Sequence, residues 1–169
     1  AYMPGVSFAG GVPVPMHLKE CDNFRITPEA LTAALTPKTK AIVVAFPNNP
    51  TGAIMTKEDY EKIADIIIEH DLVVISDEIY AELTYGTPHF SIAALPGMAE
   101  RTIVINGFSK AFAMTGFRLG YAAGPKPLLD AMVKIHQYSM LCAASMSQEA
   151  GIEALKSECA NDFVQVKKM

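Results

Sequence analysis

Two hydrophobic periods alternate along the chain. "KAIVVAF" (40–46), "LVVISD" (72–77) and "RTIVING" (101–107) are short, nearly unbroken apolar runs, the pattern of strands covered on both faces. "LGYAAG" (119–124) reads as a shorter fourth strand, and "GGVPVPMHL" (10–18) carries a strand-like alternation. Between them the period changes. "TKEDYEKIADIIIEHD" opens with Thr56 and Asp59 at capping-box spacing and sets Tyr60, Ile63, Ala64, Ile67 and Ile68 on one helical face. "TPEALTAAL" places Thr27 as N-cap with Pro28 at the first helical position. Pro127 to Tyr138 and Ser147 to Lys156 read as further helices, as does the tail from about residue 160 to 169; Ala81 to Met98 is the longest connection. Strand, helix and strand in this order predict an α/β fold with a mainly parallel sheet and helices on both faces.

Composition narrows the class. Half of the 169 residues are apolar, enough to bury a core, so the chain reads as one domain or part of one. A formal charge of −4 leaves no basic stripe for a nucleic acid. Cys21, Cys142 and Cys159 are widely spaced, and His17, His70, His89 and His136 are scattered, so no metal site is predicted; the thiols read as reduced and the protein as cytoplasmic. No apolar stretch approaches the length of a membrane span. The chain starts at Ala1 without a methionine and stops at Met169 inside an apparent helix with no stop signal, so it reads as an excised piece.

The three clearest predicted strands each end in polar residues: "KAIVVAF" runs into Asn48 and Asn49, "LVVISD" into Asp77 and Glu78, and "RTIVING" into Ser109 and Lys110. Carboxyl ends of parallel strands share one edge, where ligands bind. Taken singly each residue has an ordinary explanation, since "NPTG" is a common turn and Lys110 and Arg118 are residue types that mostly sit in solvent. Independent surface residues have no reason to gather at one sheet edge.

"NNPTG", "SDEIY" and "GFSKAFAMTGFRLGY", in this order, resemble the successive signatures of class I and II pyridoxal-phosphate aminotransferases, over about Gly10 to Leu155. The resemblance implies a fold-type I large domain, of which residues 1–169 would be the central part, with the tail leading toward a small domain. It further implies amino transfer between an amino acid and a 2-oxo acid, pyridoxal 5'-phosphate as cofactor, and a homodimer. Lys110 matches the lysine that forms the imine with the cofactor and then shuttles a proton. Asp77 matches the carboxylate that faces the pyridine nitrogen, and its charge favours the protonated ring. Asn49 and Tyr80 match the pair that hydrogen-bond the phenolic oxygen, and Arg118 matches the phosphate clamp, with Ser109 adding a hydroxyl. The chain departs from one common pattern, in which a hydroxyl residue stands three positions before the lysine; here that residue is Gly107, which leaves that phosphate contact open. Tyr2 is not expected to stack on the cofactor ring, because the family's stacking aromatic would precede Ala1.

The family's upstream glycine-rich phosphate segment and its downstream substrate-carboxylate arginine are not among these residues, so the chain alone is expected to be inactive. Two other readings share the motifs: a carbon-sulfur lyase of the same fold, and a non-catalytic aminotransferase-like module of a regulator. A nicotinamide dehydrogenase is disfavoured, for no GxGxxG follows the first strand.

Overall fold

In the computed structural model of the chain, which describes residues 2–156, both threonines anticipated as helix caps act as such. Thr27 Oγ1 accepts from the Ala30 N–H at 3.2 Å and starts α2 (Pro28–Ala34), the helix that follows α1 (Tyr2–Phe8). At α3 (Lys57–Glu69) the capping box is complete: the Asp59 N–H donates to Thr56 Oγ1 at 3.2 Å, and the Thr56 N–H donates to Asp59 Oδ2 at 3.0 Å. Two otherwise orphaned amides are thereby satisfied reciprocally. The anticipated face of α3 is buried through Tyr60, Ile63, Ala64 and Ile67, while Ile68 packs at the core's margin.

Strands β1 (Ala41–Ala45), β2 (Val73–Asp77), β3 (Thr102–Gly107) and β4 (Gly120–Ala123) form one sheet in sequence order. The first two pairings are parallel and the last is antiparallel. β4 reverses because the chain after β3 turns within α4 (Phe108–Ala111) and a 3₁₀ turn at Thr115–Phe117, without a crossover that would carry it back to the starting edge. The mainly parallel α/β expectation therefore stands, with one antiparallel edge.

One sheet face carries Ile42, Val44 and Val74 into a core shared with Ile26 and Leu31 and with Ile63 and Ile67 of α3. On the other face Val43, Ile75 and Ile105 are only half-buried. Helix α5 (Lys126–Ser139) buries none of its side chains, and α6 (Ser145–Ala154) buries Ser147 and Gly151. These two helices start slightly before the residues anticipated for them. The expected tail helix, about 160–169, and Cys159 lie outside the described residues.

One expected element is absent. Residues 11–19 form no strand, because Pro13 and Pro15 lack the N–H a ladder needs, and Val12 and Val14 stand 86% and 56% exposed. Among the described residues no helix is long and apolar enough to cross a membrane.

Ile67 is fully buried, so Ile67→Ala should cost about 3 kcal/mol of unfolding free energy in urea titrations, transfer and cavity contributions together. Thr56→Ala, which removes only the cap, should cost about 1 kcal/mol.

Candidate active site

The three parallel strands are in register so that Ala45 lies beside Asp77, and Asp77 beside Ile105. Each chain then leaves the same edge in a different turn. After β1, the Asn48 N–H donates to the Ala53 carbonyl at 2.9 Å, and the Gly52 N–H donates to the Asn48 carbonyl at 2.8 Å. Gly52 has φ +70°, a conformation that favours glycine. Asn48 thus closes the loop, and Asn49 is left exposed at its tip, where its Nδ2 donates to the Tyr80 hydroxyl at 3.3 Å.

After β2, the Asp77 carboxylate accepts the Ile79 N–H on Oδ1 at 3.1 Å, and its Oδ2 accepts the hydroxyl of Tyr2. The next residue points the other way. Glu78 is only 4% exposed, and its carboxylate accepts from Ser76 Oγ at 2.9 Å and Ser91 Oγ at 2.7 Å and pairs with His89 Nε2 at 2.8 Å. Burial by itself pushes the Glu78 carboxyl up, but the bonds from His89, Ser91 and Ser76, together with the His89 charge, outweigh it and hold the group below its ordinary value. This network fastens the turn that carries Asp77 and Tyr80 to the returning loop. Sequence reasoning noted Glu78 only as a strand-end acid; its partners stand 11 and 13 residues downstream in a connection without periodicity.

After β3 the chain enters α4, which presents Ser109 and Lys110. Lys110 Nζ lies 5.5 Å from the centroid of the Tyr80 ring, a cation–π distance. Arg118 takes a left-handed conformation, φ 52°, and its Nη1 donates to the Thr115 carbonyl at 2.9 Å, which folds the guanidinium back on the 3₁₀ turn. Lys110, Ser109 and Arg118 share a cavity of about 410 Å³, walled also by Asn106, Gly107 and Ile79.

The structure thus brings Asn49, Tyr80, Lys110 and Arg118 together as a line along the strand ends. Asn49 touches Tyr80, and Tyr80 lies under Lys110, which opens onto the Arg118 cavity. They do not all wall one cavity. Tyr80 lines a neighbouring hollow of about 360 Å³ between Pro47 and Tyr85, and Asp77 is engaged by Tyr2.

Gly107 has a steric reason. A Cβ there would stand 2.9 Å from both Gly120 Cα and the Leu119 carbonyl oxygen, so β3 and β4 approach too closely for a side chain. The hydroxyls beside Arg118 in the cavity wall are those of Ser109 and Thr115. Among the described residues no group of three or more His, Cys, Asp or Glu could hold a metal ion.

The family model "Aminotransferase class I and II" matches residues 1–169, and the chain belongs to that family. It is 54% identical over its whole length to YugH of Bacillus subtilis (strain 168), itself assigned as an aminotransferase only provisionally, and covers 43% of it. It is 47% identical over 94% of its length to the aromatic-amino-acid aminotransferase 2 of Thermococcus litoralis, covering 41% of that protein. Among solved structures, the aromatic aminotransferase of Pyrococcus horikoshii OT3 superposes with a TM-score of 0.94 at 45% identity, over 99% of this chain and 45% of that one. The chain spans less than half the length of the curated relatives it matches.

Glu78→Ala removes the acceptor from three buried or half-buried donors and should cost about 3 kcal/mol of stability. A carboxyl whose pKa is lower folded than unfolded adds stability above the unfolded value and loses it as pH falls through the folded value. Chemical denaturation of the parental protein should therefore show stability declining as pH drops below about 4.3, with a shallower decline in Glu78→Ala. For Gly107→Ser, the clash with β4 should outweigh the added hydroxyl: thermal denaturation should show a lower midpoint.

Proposed function

We propose that this chain forms the core of the cofactor-binding domain of a pyridoxal-phosphate-dependent aminotransferase, which moves an amino group between an amino acid and a 2-oxo acid. The observation that carries the reading is the placement of Lys110 at the end of β3, above the Tyr80 ring that Asn49 holds by its hydroxyl. Family membership supports it, as do relatives described as aspartate and aromatic-amino-acid aminotransferases.

The donor set fits the cofactor. An amine that can form an imine, a carboxylate for a ring nitrogen, two neutral donors for a phenolic oxygen and a guanidinium with hydroxyls for a phosphate all lie along one sheet edge. Pyridoxal phosphate supplies an aldehyde that condenses with amines and a ring that accepts electron density from the carbon losing its proton. Lys110 Nζ would hold the group covalently and, once the substrate amine takes its place, carry the proton to and from the substrate carbon. Asp77 would keep a proton on the ring nitrogen by its charge. Asn49 Nδ2 and the Tyr80 hydroxyl would stabilise the phenolic oxygen as an anion. Arg118, forked and planar, would clamp two phosphate oxygens, with Ser109 adding a third contact.

Homodimerisation and a cytoplasmic location belong to this reading. In favour of the first, α5 and the turn after it expose Val133, Ile135, Tyr138 and Leu141, an apolar surface suited to cover by more protein. In favour of the second, Cys21 and Cys142 are free thiols.

The test is Lys110→Ala in the full-length protein. Amino transfer should fall by at least about a thousand-fold, since the nucleophile and proton carrier are lost together. Borohydride should no longer fix pyridoxal phosphate to the chain, although the cofactor still binds reversibly through Asp77 and Arg118. Transamination near the parental rate in this variant would refute the assignment.

A further inference from the structure

We propose that Tyr2 is a positioning residue for Asp77, its hydroxyl fixing the plane of the carboxylate that would face the cofactor's ring nitrogen; this rests on the function proposed above. The contact joins residues 75 positions apart and comes from an otherwise unanchored element. α1 buries no residue, and among the described residues no other side chain of that helix hydrogen-bonds to the rest of the protein.

The geometry gives the contact a task. The final torsion of an aspartate is broad, so one donor on one oxygen leaves the carboxylate plane free to swing. Asp77 has two donors on two oxygens: the Ile79 N–H on Oδ1 at 3.1 Å and the Tyr2 hydroxyl on Oδ2. The first comes from the local turn and is set by β2; the second comes from a separate helix and restrains the rotation. Each carboxylate oxygen has a second lone pair, so a further donor can still be accepted. Partial burial first, then the bond to Asp77 and the charge of Asp77, push the Tyr2 phenol above its ordinary value, so at neutral pH it remains a donor.

A role through Asp77 is separable from simply tethering α1. In the full-length protein, Tyr2→Phe keeps the ring and removes the hydroxyl. It should weaken pyridoxal-phosphate binding, measured by equilibrium dialysis, and lower kcat, each by about ten-fold, the scale of one hydrogen bond to a charged acceptor, with KM for the amino acid unchanged. In an Asp77→Asn background the same substitution should change cofactor affinity less than about two-fold, because the acceptor it serves has been altered. A cofactor-free readout accompanies the cycle. With ring-labelled tyrosine, the carbon-13 resonance that disappears in Tyr2→Phe should shift when Asp77 becomes Asn. Equal effects of Tyr2→Phe in both backgrounds, an unmoved resonance, or a lower melting temperature with cofactor affinity and kcat unchanged would overturn the proposal. A protein that shows the resonance shift and the binding coupling yet transfers no amino group would refute the transaminase reading and leave the tie between Tyr2 and Asp77 standing.

Discussion

Parallel register is the constraint on which the site depends. Asn49, Asp77 and Lys110 are separated by long stretches of chain, and nothing local brings them together. What does is the ladder that sets Ala45 beside Asp77 and Asp77 beside Ile105, so that three turns begin from one line. A slip of one residue in β2 would send Asp77 to the face that now receives Glu78, and Glu78 to the other. The register is protected by the burial it produces: Val74 and Ser76 enter the α3 core, where a slip would put Asp77 in place of Ser76.

Much of this is legible in the sequence alone. The β1, β2 and β3 runs, the caps at Thr27 and Thr56 and the buried stripe of α3 follow from period and local chemistry, which act over a few residues. The polar ends of those strands could be assigned to one edge because parallel pairing follows from the crossover lengths. The failures have a different character. The segment around Val12 and Val14 has the alternation of a strand, yet two prolines deny it a partner, so the pattern had no ladder behind it. The contacts of Tyr2 with Asp77 and of His89 and Ser91 with Glu78 join positions with no periodic relation, and only the packed chain reveals them. The absence of a side chain at Gly107 was visible; its cause, the backbone of β4, was not.

Glu78 and Gly107 show how residues outside the line of contacts determine its shape. A carboxylate taken out of water is costly unless its lone pairs are filled, and Glu78 meets three side-chain partners drawn from β2 and the returning loop. The turn between them is therefore pinned on the core side while Asp77 and Tyr80 project from the other. At Gly107 the requirement is space. β4 approaches β3 because both strands offer glycine at the crossing, Gly107 opposite Gly120, and that approach brings the segment bearing Arg118 back over α4. Two adjacent strand ends are thus shaped by opposite means, a filled set of polar partners and an absent side chain.

The polarity of the edge also bears on orientation. Asn49 Nδ2 and the Tyr80 hydroxyl form a donor-bearing pair, and Asp77, on β2, presents a carboxylate with both oxygens already held. Under the proposed function, a planar ring with an anionic oxygen on one side and a protonated nitrogen on the other would find complementary groups in one orientation only. Turned over, it would set anion against carboxylate and leave the amide and hydroxyl facing a positive charge, and in a partly desolvated site each mismatch is worth more than it would be in water. On the same reading, Arg118 would add a third contact, to the phosphate. Under the proposed function, Lys110 therefore need not select the orientation of the group it binds; the fixed dipoles and charges around it do so, and the lysine is left with the chemistry.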